Sequence, residues 1–518
     1  MPRLPPLPPS AKWAHHFPTS ALAHPPKVNN LRKAPHRLLL ASPKLCDEFV
    51  RALGIRPGEV IIEGYAGPGA LTRSLVSGGR SVEEGKAWER EQGLEGKKAV
   101  GSKNSTARNP SDDYPIWKDD LPATAGLKEP KGEPTPKPKL VMSTESSYEI
   151  LRRGLDYPLP AASPQLQAEG YMGYNVAPSK HQDNLLLSHA TLYSWDTVPA
   201  LLSNPLVRQH LPVWDPSAAE EDQAKRPWNA PTPHITVVLQ APDGMLGEQI
   251  TTQWIRSVVG DNQKRAWMWK WGRVRLALLC GRNVYERLTT TALERMNSKM
   301  SVMTRALFHV TPLPPYHHIR NIDKRNMAKS DVPIQPVKEP KSTATPVGIP
   351  EDIPPAEGYP EATFGAERTE TYTADFFPGA YTSSKAVLPR TPLFGVLLTP
   401  KLNSPISMHR RDAWDFVLRR MFVRESCTVE ESIGNLAFGA DSLLPLIEQD
   451  EGMGIPVSRK RVVKQLDVEE WARIVEVFDT WAFRPEVGLH VGWTLLTMQS
   501  LLMDNSIEDE VSRQIGLD

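Results

Sequence analysis

Cysteine is scarce: the 518-residue chain has three, Cys46, Cys280 and Cys427, far apart and without C-x-x-C spacing. That pattern excludes a disulfide framework or a cysteine-based zinc site, and the chain reads as intracellular. The pairs His15-His16 and His317-His318 have neither i,i+4 spacing nor nearby cysteine, so they read as solvated loop histidines and no metal is expected. No apolar run reaches the ~18 to 20 residues that span a bilayer, so a soluble protein without a membrane partner is expected. An excess of one charge is also missing. With 61 Lys+Arg against 60 Asp+Glu the formal net charge is +1, and any case for nucleic acid must rest on local patches.

Acid is absent before Asp47, whereas Arg3, Lys12, Lys27, Arg32, Lys33, Arg37 and Lys44 precede it. An acid-free basic N-terminus has the composition of an organelle transit peptide. Pro2, Pro5, Pro6, Pro8 and Pro9 forbid helix at the extreme end and equally suit a Pro-rich tail. Residues 1–36 are therefore set apart as a basic targeting or disordered segment.

The 50 prolines are about twice the ~5% share of ordinary proteins, which predicts a folded core interrupted by insertions. Ser42-Pro43 starts a helix that Gly54 stops, with Leu45, Phe49, Ala52 and Leu53 at helical spacing. Then comes "GEVIIEGYAGPGALTRSLVSGG", which reads as strand, glycine turn and helix, the opening of an α/β domain. Residues at about 80–139 are polar and Pro-rich, as are 321–375, and both are expected to be disordered insertions. Further strands are predicted at 139–146, 184–192, 234–242, 273–281 and 393–400, with helices around 146–154 and 245–259. This alternation implies a mostly parallel sheet with helices on both faces, over residues 37–400.

From 401 to 518 the texture is helical. Trp414, Val417, Leu418, Met421 and Phe422 share a face, and so do Trp471, Ile474, Val475, Phe478 and Trp481. Thr428 with Glu431 and Asp467 with Glu470 are capping-box signatures.

The turn Gly67-Pro68-Gly69-Ala70-Leu71-Thr72 has Thr where a dinucleotide fingerprint needs its third glycine, which disfavours NAD or FAD. The spacing Glu63-x-x-x-Gly67-x-Gly69 instead matches the first motif of S-adenosylmethionine (SAM)-binding folds, where glycines let backbone approach the cofactor. A tight strand-to-helix turn with no ligand is the other reading. Glu145 ends the next strand, where an acid hydrogen-bonds a ribose in this architecture; a surface carboxylate at a helix start is the alternative.

Together, "LLLASPKLCDEFVRALGI" and "VIIEGYAGPGALTRSLV" resemble the ribosomal RNA adenine dimethyltransferase family, most of all its mitochondrial transcription factor B branch. "QITTQWIRSVV", "WGRVRLALLCGRNVYERLTT", "FGVLLTP" and "DAWDFVLRRMFVRESCTVEESIGNLAFGADSLLP" follow in the order of that family's downstream blocks. The resemblance covers most of residues 37–485 outside the insertions. It implies a Rossmann-like SAM-methyltransferase fold, a small C-terminal all-helical domain, and a basic groove for RNA or DNA.

Two departures from the family pattern bear on activity. His189 stands where family enzymes carry the Asp that binds the adenine amino group of the cofactor. Gln240-Ala241-Pro242-Asp243 replaces Asn-Leu-Pro-Tyr, leaving Gln240 and Pro242 as degenerate acceptors for a target amino group and Asp243 unable to stack on a flipped base. Methyl transfer is thereby disfavoured. The nucleic-acid candidates are Lys264, Arg265, Trp267, Trp269, Lys270 and Trp271, continued by Arg273 and Arg275, where cations would neutralise phosphate and indoles stack on unpaired bases. Tryptophans packing beneath the sheet is the competing reading. Arg419, Arg420 and Arg424 form a second cluster, read either as a solvated helix face or as a phosphate contact.

The resemblance implies a monomer in the mitochondrial matrix that helps mitochondrial RNA polymerase open promoter DNA. The alternative it carries is a SAM-dependent adenine dimethyltransferase acting on mitochondrial small-subunit rRNA.

Overall fold

The computed structural model describes residues 4–7, 13, 38–93, 127–159, 175–192, 194–241, 245–260, 265, 267–292, 296–315, 376–377 and 393–485. The insertion 321–375 lies outside the described residues, apart from the neighbouring pair Phe376–Phe377. The chain divides into two compact units: one comprises residues 1–258, 265–289 and 307–403, the other residues 259–264, 290–306 and 404–518.

The larger unit is built on strands β1 (Leu39–Leu40), β2 (Val60–Gly64), β3 (Leu140–Glu145), β4 (Val176–Pro178), β5 (Leu185–His189), β6 (Ile235–Gln240), β7 (Arg275–Cys280), β8 (Phe308–Leu313), β9 (Phe376–Phe377) and β10 (Phe394–Pro400). Eight of them form one sheet in the order β4-β5-β3-β2-β6-β7-β10-β8, while β1 and β9 pair separately. The run β5-β3-β2-β6-β7 is parallel. Strand β10 is antiparallel to both β7 and β8, and β4 is antiparallel to β5 at the other edge. Val60, Ile61 and Ile62 are wholly buried, as a parallel sheet covered on both faces requires. This is a Rossmann-like, mostly parallel sheet, and the predicted strands fall where the apolar runs placed them.

Helices of this unit are α1 (Pro43–Leu53), α2 (Ala70–Ser77), α3 (Ser81–Glu91), α4 (Tyr148–Leu155), α5 (Thr197–Ser203), α6 (Met245–Ser257) and α7 (Arg282–Thr289). The chain passes from β2 through β3 to β5 on one side and through β6 to β7 on the other. Right-handed crossovers therefore place helices on opposite faces and make the β2/β6 junction the switch point of the sheet.

Helix α3 corrects the expectation that the first insertion begins at 80. Its start is capped from a distance: the buried Asp47 carboxylate on α1 accepts from Ser81 N (3.0 Å), Ser81 Oγ (2.7 Å), Val82 N (2.9 Å) and Ser74 Oγ (2.6 Å). The far end of that stretch is also ordered onto the unit, because Arg51 Nη1 donates to Pro130 O and Gly132 O at 2.9 and 2.8 Å. Only residues 94–126 of it lie outside the described residues.

At the opposite, N-terminal edge of the sheet a buried ion network clamps three strands. Arg275 Nη2 donates to both oxygens of Glu59 at 2.8 and 2.9 Å, Thr236 Oγ1 donates to Oε1 at 2.6 Å, and Arg56 N donates to Oε2 at 2.7 Å. The guanidinium also reaches Leu53 O and Gly54 O at the end of α1.

The smaller unit contains α8 (Lys299–Leu307, all but its last residue), α9 (Arg411–Met421) and α10 (Val468–Thr480), joined by short helical turns. Both expected capping boxes form: Glu431 Oε2 accepts Thr428 N at 2.9 Å, and Glu470 Oε2 accepts Asp467 N at 2.8 Å. The faces read from the sequence meet in the core, where Phe416 stacks on Phe478 with centroids 5.4 Å apart and Phe422 on Trp471 at 5.5 Å.

The two arginines hold the Glu59 carboxyl down at about 2, against its own burial, which pushes the other way. Its ionised form thus stabilises the fold above the ordinary value of 4.5, and that contribution is lost as pH falls through 2. Arg275→Met strands the buried carboxylate, so urea unfolding at pH 7 should register a loss of about 3–5 kcal/mol. A loss under about 1 kcal/mol would contradict the clamp.

Candidate cofactor edge and nucleic-acid interface

Four of the residues singled out from the sequence sit side by side at the C-terminal ends of adjacent parallel strands. Glu145 is in register with His189, and Glu63 with both Ser143 and Val238, so His189, Glu145, Glu63 and Gln240 follow one another across β5, β3, β2 and β6. Ligands of open α/β sheets bind at this edge, beside the switch point.

The glycine turn leaves β2 here. Gly67 has φ 57° and Gly69, the N-cap of α2, has φ 85°, both in the left-handed region that glycine enters without steric penalty. Tyr65 takes φ 59° without that freedom, and its hydroxyl is fastened to Thr191 Oγ1 at 2.7 Å.

The side chains of this edge are spent on the protein itself. Glu145 is wholly buried; its Oε2 accepts Gly67 N at 2.7 Å and its Oε1 accepts Ser147 N at 2.8 Å. Gln240, 2% exposed, accepts Leu40 N on Oε1 at 2.8 Å and donates from Nε2 to Tyr65 O at 3.2 Å. A Cβ on Gly67 would stand 2.4 Å from Leu39 Cδ1, so the close-approach face of the turn is filled by Leu39. Thus arranged, the residues do not fit SAM: the Glu145 carboxylate is already held by two backbone amides, and a leucine fills the face of the glycine turn.

Glu63 is the base of the turn. Thr72 Oγ1 and Ser143 Oγ both donate to its Oε2 at 2.6 Å, while Oε1 has no partner. Thr72, which breaks the dinucleotide fingerprint, thus hydrogen-bonds the motif acid; only tertiary structure brings Ser143 to the same oxygen. His189 Nε2 lies 2.8 Å from Ser146 O, which requires the proton on that nitrogen and leaves Nδ1 a buried acceptor without a partner. Pro242 and Asp243 lie outside the described residues.

The basic-aromatic stretch is corrected. Trp267, Trp269 and Trp271 are buried at 6%, 1% and 1% exposure; Trp267 packs edge-on with Trp269 and Trp195 and at a tilt on Trp254, Trp269 packs edge-on with Trp228, and Lys225 lies over the Trp271 ring. They are core, not a stacking platform. Arg265 lies with its guanidinium 3.5 Å above the Trp228 ring, and burial lowers its pKa to about 10. Arg273 and Arg275 are buried, Lys270 is exposed, and Lys264 lies outside the described residues. The interleaving has a packing cause: aromatic positions turn inward while the alternating cations reach backbone carbonyls or solvent.

In the helical unit Arg419, Arg420 and Arg424 are exposed at the end of α9 and the turn after it, and among the described residues no carboxylate lies within ion-pair distance of Arg419 or Arg420. Two exposed aromatic rings in the same unit went unnoticed in the sequence: Phe438, fully exposed, and Phe483, 79% exposed. Phe438 lies between Ala437 and Gly439 and Phe483 beside Trp481, in apolar stretches where exposure has no local signal.

No protein-family profile matches the sequence, and no curated protein matches it. Among solved structures, the chain is similar to a dimethyladenosine transferase from Plasmodium falciparum, at 12% identity and TM-score 0.36, over 85% of this chain and 97% of that one. It is also similar to the 23S rRNA methyltransferase ErmE, at 10% identity and TM-score 0.37, over 85% of this chain and 99% of that one.

Burial, reinforced by the neighbouring Glu145 charge, pushes the Glu63 carboxyl up to about 7, against the two hydroxyls that favour its ionised form. A raised acid favours the folded state only while it is protonated. Its contribution is therefore fully present below the ordinary 4.5 and is lost as pH rises through 7, on the order of 1–3 kcal/mol. Glu63→Gln should flatten that part of the stability profile and leave the variant more stable than the parent at pH 8. Parallel profiles for the two proteins across this range would contradict the assignment.

Proposed function

We propose that this chain is a non-enzymatic nucleic-acid-binding protein on a methyltransferase scaffold, a mitochondrial-matrix monomer that assists mitochondrial RNA polymerase in opening promoter DNA. The observation that carries the reading is Gln240. Adenine methylation at this edge needs a free side-chain acceptor for the target amino group, and here Oε1 already holds Leu40 N while Nε2 holds Tyr65 O.

Arg419 and Arg420, which have no carboxylate partner among the described residues, supply with Arg424 a phosphate contact for a melted strand. Phe438 and Phe483 supply exposed ring faces for unpaired bases, the role that the buried tryptophans cannot fill. Affinity of this kind depends on backbone charge and stacking more than on base identity, which suits a factor that holds a strand already opened.

A second reading, a SAM-dependent adenine dimethyltransferase of mitochondrial small-subunit rRNA, is favoured by the two partnerless buried acceptors, Glu63 Oε1 and His189 Nδ1. It requires Gln240 to release Leu40 N and Leu39 to leave the face of Gly67.

Run-off transcription on a linear promoter with the cognate mitochondrial polymerase separates the two. Stimulation by the purified protein supports the first reading; no stimulation, together with loss of dimethyladenine from mitochondrial rRNA in a deletion strain, supports the second. For the strand contact itself, the double change Arg419→Ala and Arg420→Ala should weaken single-stranded DNA binding about equally across sequences. It should also reduce the slope of log affinity against log salt by about 1.4, at ~0.7 per lost phosphate contact on a single strand. An unchanged slope would place the strand elsewhere.

A further inference from the structure

Arg73, on α2, is a mostly buried guanidinium with no carboxylate partner among the described residues. Every acceptor it has among them is a backbone carbonyl: Nη1 donates to Pro68 O at 3.1 Å and Gly69 O at 2.9 Å, Nη2 to Gly154 O at 3.1 Å, and Nε to Pro5 O at 2.9 Å. These carbonyls belong to three stretches far apart in sequence, namely the glycine turn, the end of α4 and the extreme N-terminus. Helix α4 and the turn are already pressed together, since a Cβ on Gly154 would stand 2.5 Å from Pro68.

The N-terminal stretch is suited to such a grip. Pro5 and Pro6 have no N–H, so a guanidinium can take a carbonyl there without stranding a neighbouring donor. Pro5, Pro6 and Leu7 are buried, although the sequence sets them in a segment with no expected core. Further along, Trp13 is fully buried and meets Phe377 edge-on at 6.1 Å. Phe377 pairs with Leu39, and Leu39 is the side chain that fills the face of Gly67. The N-terminus is thus anchored on both sides of one turn, by Pro5 next to Pro68-Gly69 and by Trp13 through Phe377 and Leu39 next to Gly67.

We propose that Leu4–Leu7 and Trp13 form a strap, fastened by Arg73, that keeps the glycine turn closed, so that the turn opens to solvent only when the strap is released. The inference holds under either proposed function wherever residues 4–13 stay with the folded chain: it makes Leu4–Leu7 and Trp13 part of the α/β unit and a control on access to its C-terminal edge. Burial without an acidic partner lowers the Arg73 pKa to about 9, so the cation depends on these carbonyls for its compensation.

Hydrogen exchange followed by mass spectrometry on four proteins tests the strap: the full chain, the chain lacking residues 1–13, Arg73→Met, and Arg73→Met lacking residues 1–13. Peptides spanning residues 63–75 should exchange at least tenfold faster when the strap is deleted from the parent. In the Arg73→Met background the same deletion should change the rate less than twofold, because the fastening is already gone. Peptides covering β7 report whether the sheet is intact. Should Arg73→Met not fold, full-length Trp13→Ala releases the other anchor and should accelerate exchange at 63–75 by threefold or more. Unchanged exchange on deletion, an equal effect of deletion in both backgrounds, or unchanged exchange in Trp13→Ala would each overturn the proposal.

Discussion

The hydrogen bond from Gly67 N to the Glu145 carboxylate is the constraint on which the rest of the C-terminal edge depends. A left-handed glycine turn exposes backbone amides, and in ligand-binding sheets those amides await an anion or a cofactor. In this chain the acid of the neighbouring strand meets one of them and is buried there. Once Glu145 is committed inward, the turn is a finished piece of structure. Leu39 closes over Gly67, Gln240 bridges Leu40 N and Tyr65 O, and Arg73 collects the carbonyls behind it.

Glu63 shows that this closure has an energetic residue. A carboxyl sealed under the turn with one oxygen unsatisfied is pushed toward its neutral form, and the fold tolerates it because Thr72 and Ser143 hold the other oxygen. At the other end of the same strands Glu59 is fully paired by Arg275 and Arg56 and is held low. Two buried glutamates of one strand region are thus driven in opposite directions, Glu63 up by burial and the Glu145 charge and Glu59 down by two arginines that outweigh its burial.

Much of the scaffold was legible because its signals are local. Apolar runs bounded by Gly and Pro located the central strands, Gly67 and Gly69 marked a turn that needs positive φ, and the two Thr/Asp-to-Glu spacings marked helix starts that the structure confirms. What was not legible is tertiary in origin. Helix α3 is polar and begins at a cap supplied by Asp47 from another helix, so no local pattern announced it. Strands β1, β4, β8 and β9 are short or at sheet edges, where the apolar pattern is weak. The run from Arg265 to Arg275 misled in an instructive way: cations alternating with tryptophans suit a nucleic-acid surface and a buried aromatic cluster equally, and burial alone separates them. His189, Glu145, Glu63 and Gln240 lie at one sheet edge, as their places at strand ends imply, but the hydrogen bonds that occupy Glu145 and Gln240 depend on β1 and on the curl of the turn.

The C-terminal edge of this sheet is closed by the chain's own groups: Gly67 N is held by Glu145, Gln240 spans Leu40 N and Tyr65 O, and Leu39 covers Gly67. Calorimetric titration of the full-length purified protein with SAM tests it most directly. No binding heat up to millimolar SAM is the predicted result, since Glu145, Gln240 and the face of Gly67 are already taken. Saturable binding in the micromolar range would contradict the account.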